Sequence, residues 1–144
     1  MFEKFKLERK IKKAVNKTAK EFENSTPKIS QHFFYGAVWI APQNLVIWYL
    51  FKTNDELALA KKTGLCTQLV QRTTQNLIDE GYPKETISKV VAQGIEKITF
   101  NNKTSEEIDE IMKLLQTGRK VMISFTTEQD IDEKANGDYH LYFQ

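Results

Sequence analysis

The chain has 144 residues, 28% charged and 40% apolar, with a net charge of +2, which is the size and composition of one ordinary globular domain. Its longest apolar run, FFYGAVWIAPQNLVIWYLF from Phe33 to Phe51, is interrupted by Pro42, Gln43 and Asn44, so no stretch reaches the roughly eighteen apolar residues of a membrane span. The single cysteine, Cys66, excludes an intramolecular disulfide framework and fits a reducing compartment; with no apolar leader in the first residues, the expected location is the cytoplasm.

Charge is unevenly spread from the start. Residues 1–20 hold eight basic side chains (Lys4, Lys6, Arg9, Lys10, Lys12, Lys13, Lys17 and Lys20) against Glu3 and Glu8, a net +6 that leaves −4 for the remainder. Phe2, Phe5, Leu7, Ile11, Val15 and Phe22 recur at helical spacing, with Ala14 widening the stripe and Thr18 interrupting it. The pattern predicts a basic amphipathic helix over about residues 2–23. Packing on the rest of the domain explains its lysines without a ligand; the alternative uses Lys6, Arg9, Lys10, Lys13, Lys17 and Lys20 to contact nucleic acid or phosphate. A modest apolar stripe and the lack of a lipidation signal after Met1 argue against a membrane surface.

Ser25, Thr26 and Pro27 end this helix. Strands are expected at about 32–41 and 45–52, joined by a turn with Pro42 at its first central position, where φ near −65° is required. An even-numbered loop puts Phe33, Tyr35, Ala37, Trp39, Val46, Trp48 and Leu50 on one face. Phe34, Val38, Ile40, Leu45, Ile47, Tyr49 and Phe51 fall on the other. In the simplest two-residue-loop register Gly36 lies opposite Tyr49 and makes room for its ring. Both faces are apolar, so the hairpin is either covered twice or leaves one aromatic side for a partner.

Thr53 and Asn54 before Asp55 and Glu56 predict a capped helix start, continued by Leu57 to Ile78, bent or divided at Gly64 and stopped at Gly81. Pro83 opens a short helix through Ile87, Val90 and Val91, and residues 95–100 read as a strand. Thr104 or Ser105 caps a helix carrying Ile108, Ile111, Met112 and Leu115, whose acidic first turn is explained by helix electrostatics. A strand at about 120–126 follows, then a short helix begun by Thr127 and a turn at Asn136 and Gly137. Tyr139, Leu141 and Phe143 alternate with His140 and Tyr142 and so predict a last strand. Asp130, Asp132 and Glu133 lack the central glycine and distal glutamate of a calcium loop.

The expected architecture is α+β, with residues 1–144 as one compact domain: a mixed or mostly antiparallel sheet of about five strands and helices mainly on one face. No nucleotide loop, metal-ligand spacing or cofactor signature occurs, so no cofactor, metal or catalytic residue is expected. The leading functional expectation is a small protein-binding or inhibitor-like module whose aromatic hairpin offers Tyr35, Trp39, Trp48 and Leu50 to a protein partner, or to a second copy of the chain. The basic helix supplies the nucleic-acid alternative. A small hydrolytic or redox enzyme would need His32, Cys66 and His140 to converge, which their spacing does not show.

Overall fold

The basic N-terminal segment forms helix α1 (Phe2–Glu21), whose buried residues Ile11, Ala14, Val15 and Thr18 lie along one side. It belongs to a computed structural model that describes residues 2–87, 91–92 and 121–143. The hairpin follows as β1 (Gln31–Tyr35) and β2 (Val46–Phe51), antiparallel, with Gln31 opposite Leu50 and Tyr35 opposite Val46. Helices α2 (Asn54–Lys62) and α3 (Leu65–Asp79) come next, then a single 3-10 turn at Lys84–Thr86 and the two-residue strand β3 (Val91–Ala92). Strand β4 (Met122–Thr127) leads directly into α4 (Glu128–Ala135), and the four-residue helix α5 (Tyr139–Tyr142) follows.

The sheet has the order β1-β2-β4-β3 and is mixed, because β4 runs parallel to both β2 and β3. Two covered faces result from the period-2 pleat of β2. Ile47, Tyr49 and Phe51 join Ile123 and Phe125 of β4 in the main core, beneath Ile11 and Val15 of α1, Ala60 of α2 and Leu69 and Leu77 of α3. On the opposite face Trp48 and Leu50 pack with Ile131 of α4, and Phe33, Val46, Tyr139, Tyr142 and Phe143 close around them. The three long helices α1, α2 and α3 thus lie on one face, and the short α4 and α5 cover part of the other. The hairpin residues kept the face assignment of the sequence pattern wherever they stayed in a strand.

Local chemistry accounts for the boundaries. Thr53 accepts from the Glu56 amide at 3.1 Å while the Glu56 carboxylate accepts from Thr53 N at 3.2 Å, a complete capping box for α2. Gly64, at φ +84°, divides α2 from α3. The one polar interruption of the α1 stripe, Thr18, is a joint: Asn76 of α3 donates to its hydroxyl at 2.9 Å, and Thr18 donates to the Ala14 carbonyl at 2.9 Å. Beside it Arg72 of α3 forks onto Glu21 of α1 at 2.9 and 3.2 Å. This pairing holds the Glu21 carboxyl below the usual carboxylate range.

Three expectations need correction. Residues 37–41 leave the sheet, so the first strand ends at Tyr35 and no Gly36–Tyr49 pair forms; His32 faces Tyr49 instead. Val91 lies in a strand and not in a helix begun by Pro83, in keeping with the extended preference of β-branched residues. The last segment is helical: Asp138 caps it by accepting from Leu141 N at 3.1 Å, and Tyr139, Tyr142 and Phe143 fall at i, i+3 and i+4. Four strands are thus present among the described residues, where about five were expected. The expected strand at 95–100 and the helix through Ile108 to Leu115 lie outside them.

Candidate functional site

The connection between β1 and β2 is a folded tip and not a loose loop. Gly36 takes φ +124°, and its Cα sits so close to the Asn44 carbonyl that a Cβ there would overlap the oxygen. Val38 N donates to Gly36 O at 2.9 Å, and Ile40 N and Ala41 N donate to Ala37 O at 3.1 and 3.2 Å. Asn44 Nδ2 reaches back to the same Ala37 carbonyl at 3.2 Å. Pro42 occupies the first central position of the turn closed by Asn44 N on Ala41 O at 3.0 Å, as its fixed φ favours. Tyr82, three residues beyond α3, donates its hydroxyl to Pro42 O, and the buried Val38 side chain plugs the tip into the main core.

This rigid frame holds two large apolar side chains outward: Trp39 is 45% exposed and Ile40 is 74% exposed. Tyr35, at the end of β1, is also exposed, and its hydroxyl accepts from Trp48 Nε1 at 3.1 Å. Trp48 itself is only 8% exposed and Leu50 is fully buried. Phe143 stands edge-on to Trp48 with ring centroids 4.8 Å apart and edge-on to Phe33 at 5.1 Å. Of the four hairpin residues expected to make one binding face, Tyr35 and Trp39 are therefore at the surface, while Trp48 and Leu50 form a second core. Ile40 was missed because period-2 counting carried the strand past Gly36 and put it on the face opposite Trp39.

No family model, no curated protein and no solved structure matches the chain.

A cleft of about 420 Å³ opens where the parallel strands β2 and β4 end, next to the first turns of α2 and α4, a place where α/β sheets often bind ligands. Thr126, Thr127, Asn54, Asp130, Lys134 and Tyr142 of its lining are bonded to one another. Thr127 donates to Asn54 Oδ1 at 2.5 Å and accepts from Asp130 N at 2.9 Å; Tyr142 bonds to Thr126 at 2.6 Å and donates to Asp130, which also pairs with Lys134 at 3.3 Å. These bonds fasten α5 to β4 and α4, and they explain why the short C-terminal helix stays over Trp48.

The residues considered for catalysis do not form a site. Cys66 is buried in the main core, and burial pushes its thiol up to about 11 despite nearby Lys61, the reverse of an activated nucleophile. His32 lies on the same side of the sheet, 6.3 Å from the Tyr49 ring, with its pKa lowered by burial, whereas His140 is exposed on α5. Among the described residues no group of three His, Cys, Asp or Glu side chains could hold a metal ion, and no helix is long and apolar enough to cross a membrane.

Cys66 and Tyr49 give the core an alkaline limit. Burial also drives the Tyr49 hydroxyl up to about 12, partly offset by its 2.7 Å bond to Thr73. Both groups keep their protons to higher pH in the folded chain than in the unfolded one. The stability they contribute is complete below about pH 9 and is lost as pH rises from there through the folded values near 11 and 12. Cys66→Ala removes the thiol part: between pH 9 and 11 its denaturation midpoint is expected to fall less steeply than that of the wild type, by roughly 1–3 kcal/mol in free energy. Parallel decline of the two proteins would mean that the thiol is not buried.

The six basic residues singled out on α1 share one flank of the helix. Lys6, Arg9, Lys10 and Lys13 line a groove of about 470 Å³ together with Phe5 and Glu80, and Lys17 and Lys20 continue the line as exposed side chains.

Proposed function

We propose that this chain is a cytoplasmic protein-binding module of the inhibitor type, which presents the hairpin tip, with Tyr35, Trp39 and Ile40, to a protein partner. The observation that carries this reading is the combination of exposure and rigidity. Large apolar side chains on a mobile loop cost side-chain and backbone entropy when they dock, but here the backbone beneath Trp39 and Ile40 is already fixed by five hydrogen bonds and by Val38 in the core. Tryptophan on such a support is the residue type most often found at the energetic centre of an interface. A lone, buried thiol fits a reducing cytoplasm.

The test is capture of partners from lysate of the source cell, followed by affinity measurement with the purified partner. Wild type is expected to retain a protein in stoichiometric amount, and Trp39→Ala or Ile40→Ser to weaken that complex by about thirtyfold or more each, the effect of losing a hot-spot residue. Ile40 is 74% exposed, so its replacement should leave the fold intact, and circular dichroism checks the fold of Trp39→Ala. A partner held equally by all three proteins would remove the tip from the interface.

A further inference from the structure

We infer that the exposed flank of α1 is a binding groove for single-stranded nucleic acid, in which Phe5 stacks on a base and Lys6, Arg9, Lys10 and Lys13 hold the neighbouring phosphates. The inference is independent of the hairpin tip, since no tip residue lines this groove.

At about 100° per residue, Lys6, Arg9, Lys10, Lys13, Lys17 and Lys20 fall within an arc of about 100°, and at 1.5 Å per residue they run for about 21 Å along the helix. They form one line of positive charge, long enough to follow several phosphates of an extended strand. Little opposes it. Glu21, near its end, is drawn onto Arg72, and Lys10 uses one of its three donors on the Gly81 carbonyl at 3.3 Å. Glu80 is the acidic side chain that lines the groove itself, and it limits affinity there.

Phe5 selects the ligand. Its ring is 55% exposed in a groove whose other walls are charged, where it contributes little to the core. A planar apolar face beside a row of cations matches an unpaired base next to its phosphates, because base stacking on aromatic side chains tolerates any sequence. Bases within a duplex have both faces covered, so a duplex would gain the phosphate contacts alone. A lipid surface fits less well: an interfacial helix buries its apolar side in the acyl layer, and here that side, with Ile11, Ala14 and Val15, is already buried in the main core.

The experiment is fluorescence anisotropy of a labelled oligonucleotide of about twelve residues, as oligo-U or oligo-dT, titrated with the full chain at several salt concentrations. Binding is expected to weaken with salt along a log–log slope near −3, about 0.7 for each of four phosphates. Lys6→Glu/Lys13→Glu should lose at least about tenfold, Glu80→Gln should gain about two- to threefold, and Lys28→Glu, away from the groove, should match wild type. Phe5→Ala should lose about tenfold for the single strand and nothing for a duplex of the same length. Circular dichroism of each variant checks the fold. Absence of binding at low salt, retention of affinity by the double charge reversal, or equal binding by Phe5→Ala would overturn the inference, as would adsorption to phosphatidylserine vesicles without oligonucleotide binding.

Discussion

Trp48→Ala is expected to destabilise the protein by about 3–5 kcal/mol, read from chemical denaturation with matched slopes. The magnitude follows from where the indole sits. It is the centre of the second core, with Phe33 directly across on β1 and Ser124 across on β4, Leu50 and Ile131 beside it, and Phe143 edge-on at 4.8 Å. Truncation opens a cavity on the face covered by Ile131 of α4 and the four-residue α5, and it strips α5 of the surface it packs on. The Tyr35 hydroxyl also loses its indole donor at 3.1 Å, a smaller loss since Tyr35 is exposed and water replaces it. Trp48→Phe keeps most of the volume and should cost less than half as much. A loss below about 1 kcal/mol for the alanine variant would place Trp48 at the surface and not in a core.

Gly36→Ala is expected to cost about 2–5 kcal/mol, a large effect for one methyl group. Two terms add. The backbone at φ +124° is poorly accessible to a residue with a Cβ, and that Cβ would collide with the Asn44 carbonyl, a backbone atom fixed by the turn around Pro42. Relief requires the tip to move, so Trp39 and Ile40 should shift as well. Gly64→Ala separates the terms, because φ is +84° there and a Cβ would meet nothing within 4 Å. Its cost is expected to be about 1–2 kcal/mol, that of the left-handed backbone alone. Similar losses at the two positions would mean that the tip is loose, which would deprive the proposed contact surface of its rigidity.

Much of this arrangement was legible in the sequence where one period or one cap decided the outcome. The α1 stripe, the division at Gly64, the Thr53–Glu56 box and the start of α4 at Thr127 follow from local signals, and the pleat sorted Trp48 and Leu50 from Tyr49 and Phe51. The end of β1 was less accessible, because alternation continues through Ala37, Trp39 and the residues between them while the backbone turns at Gly36. Over five residues the C-terminal segment satisfies two periods at once. Tyr139, Leu141 and Phe143 suggest a strand; Tyr139, Tyr142 and Phe143 make a helix, and the Asp138 cap together with the waiting surface of Trp48 decides for the helix. Leu141, on the losing pattern, is 53% exposed. Which tryptophan would be covered depended on this contact between residues about one hundred positions apart, and no local pattern carries it.

The most direct measurement is acrylamide quenching in two single-tryptophan proteins, Trp39→Phe and Trp48→Phe. With Trp48 alone, emission should be blue-shifted and weakly quenched until the protein unfolds; with Trp39 alone, emission should be quenched readily in the folded state. Equal quenching, or a more accessible Trp48, would contradict the division of the hairpin into a buried face and an offered tip.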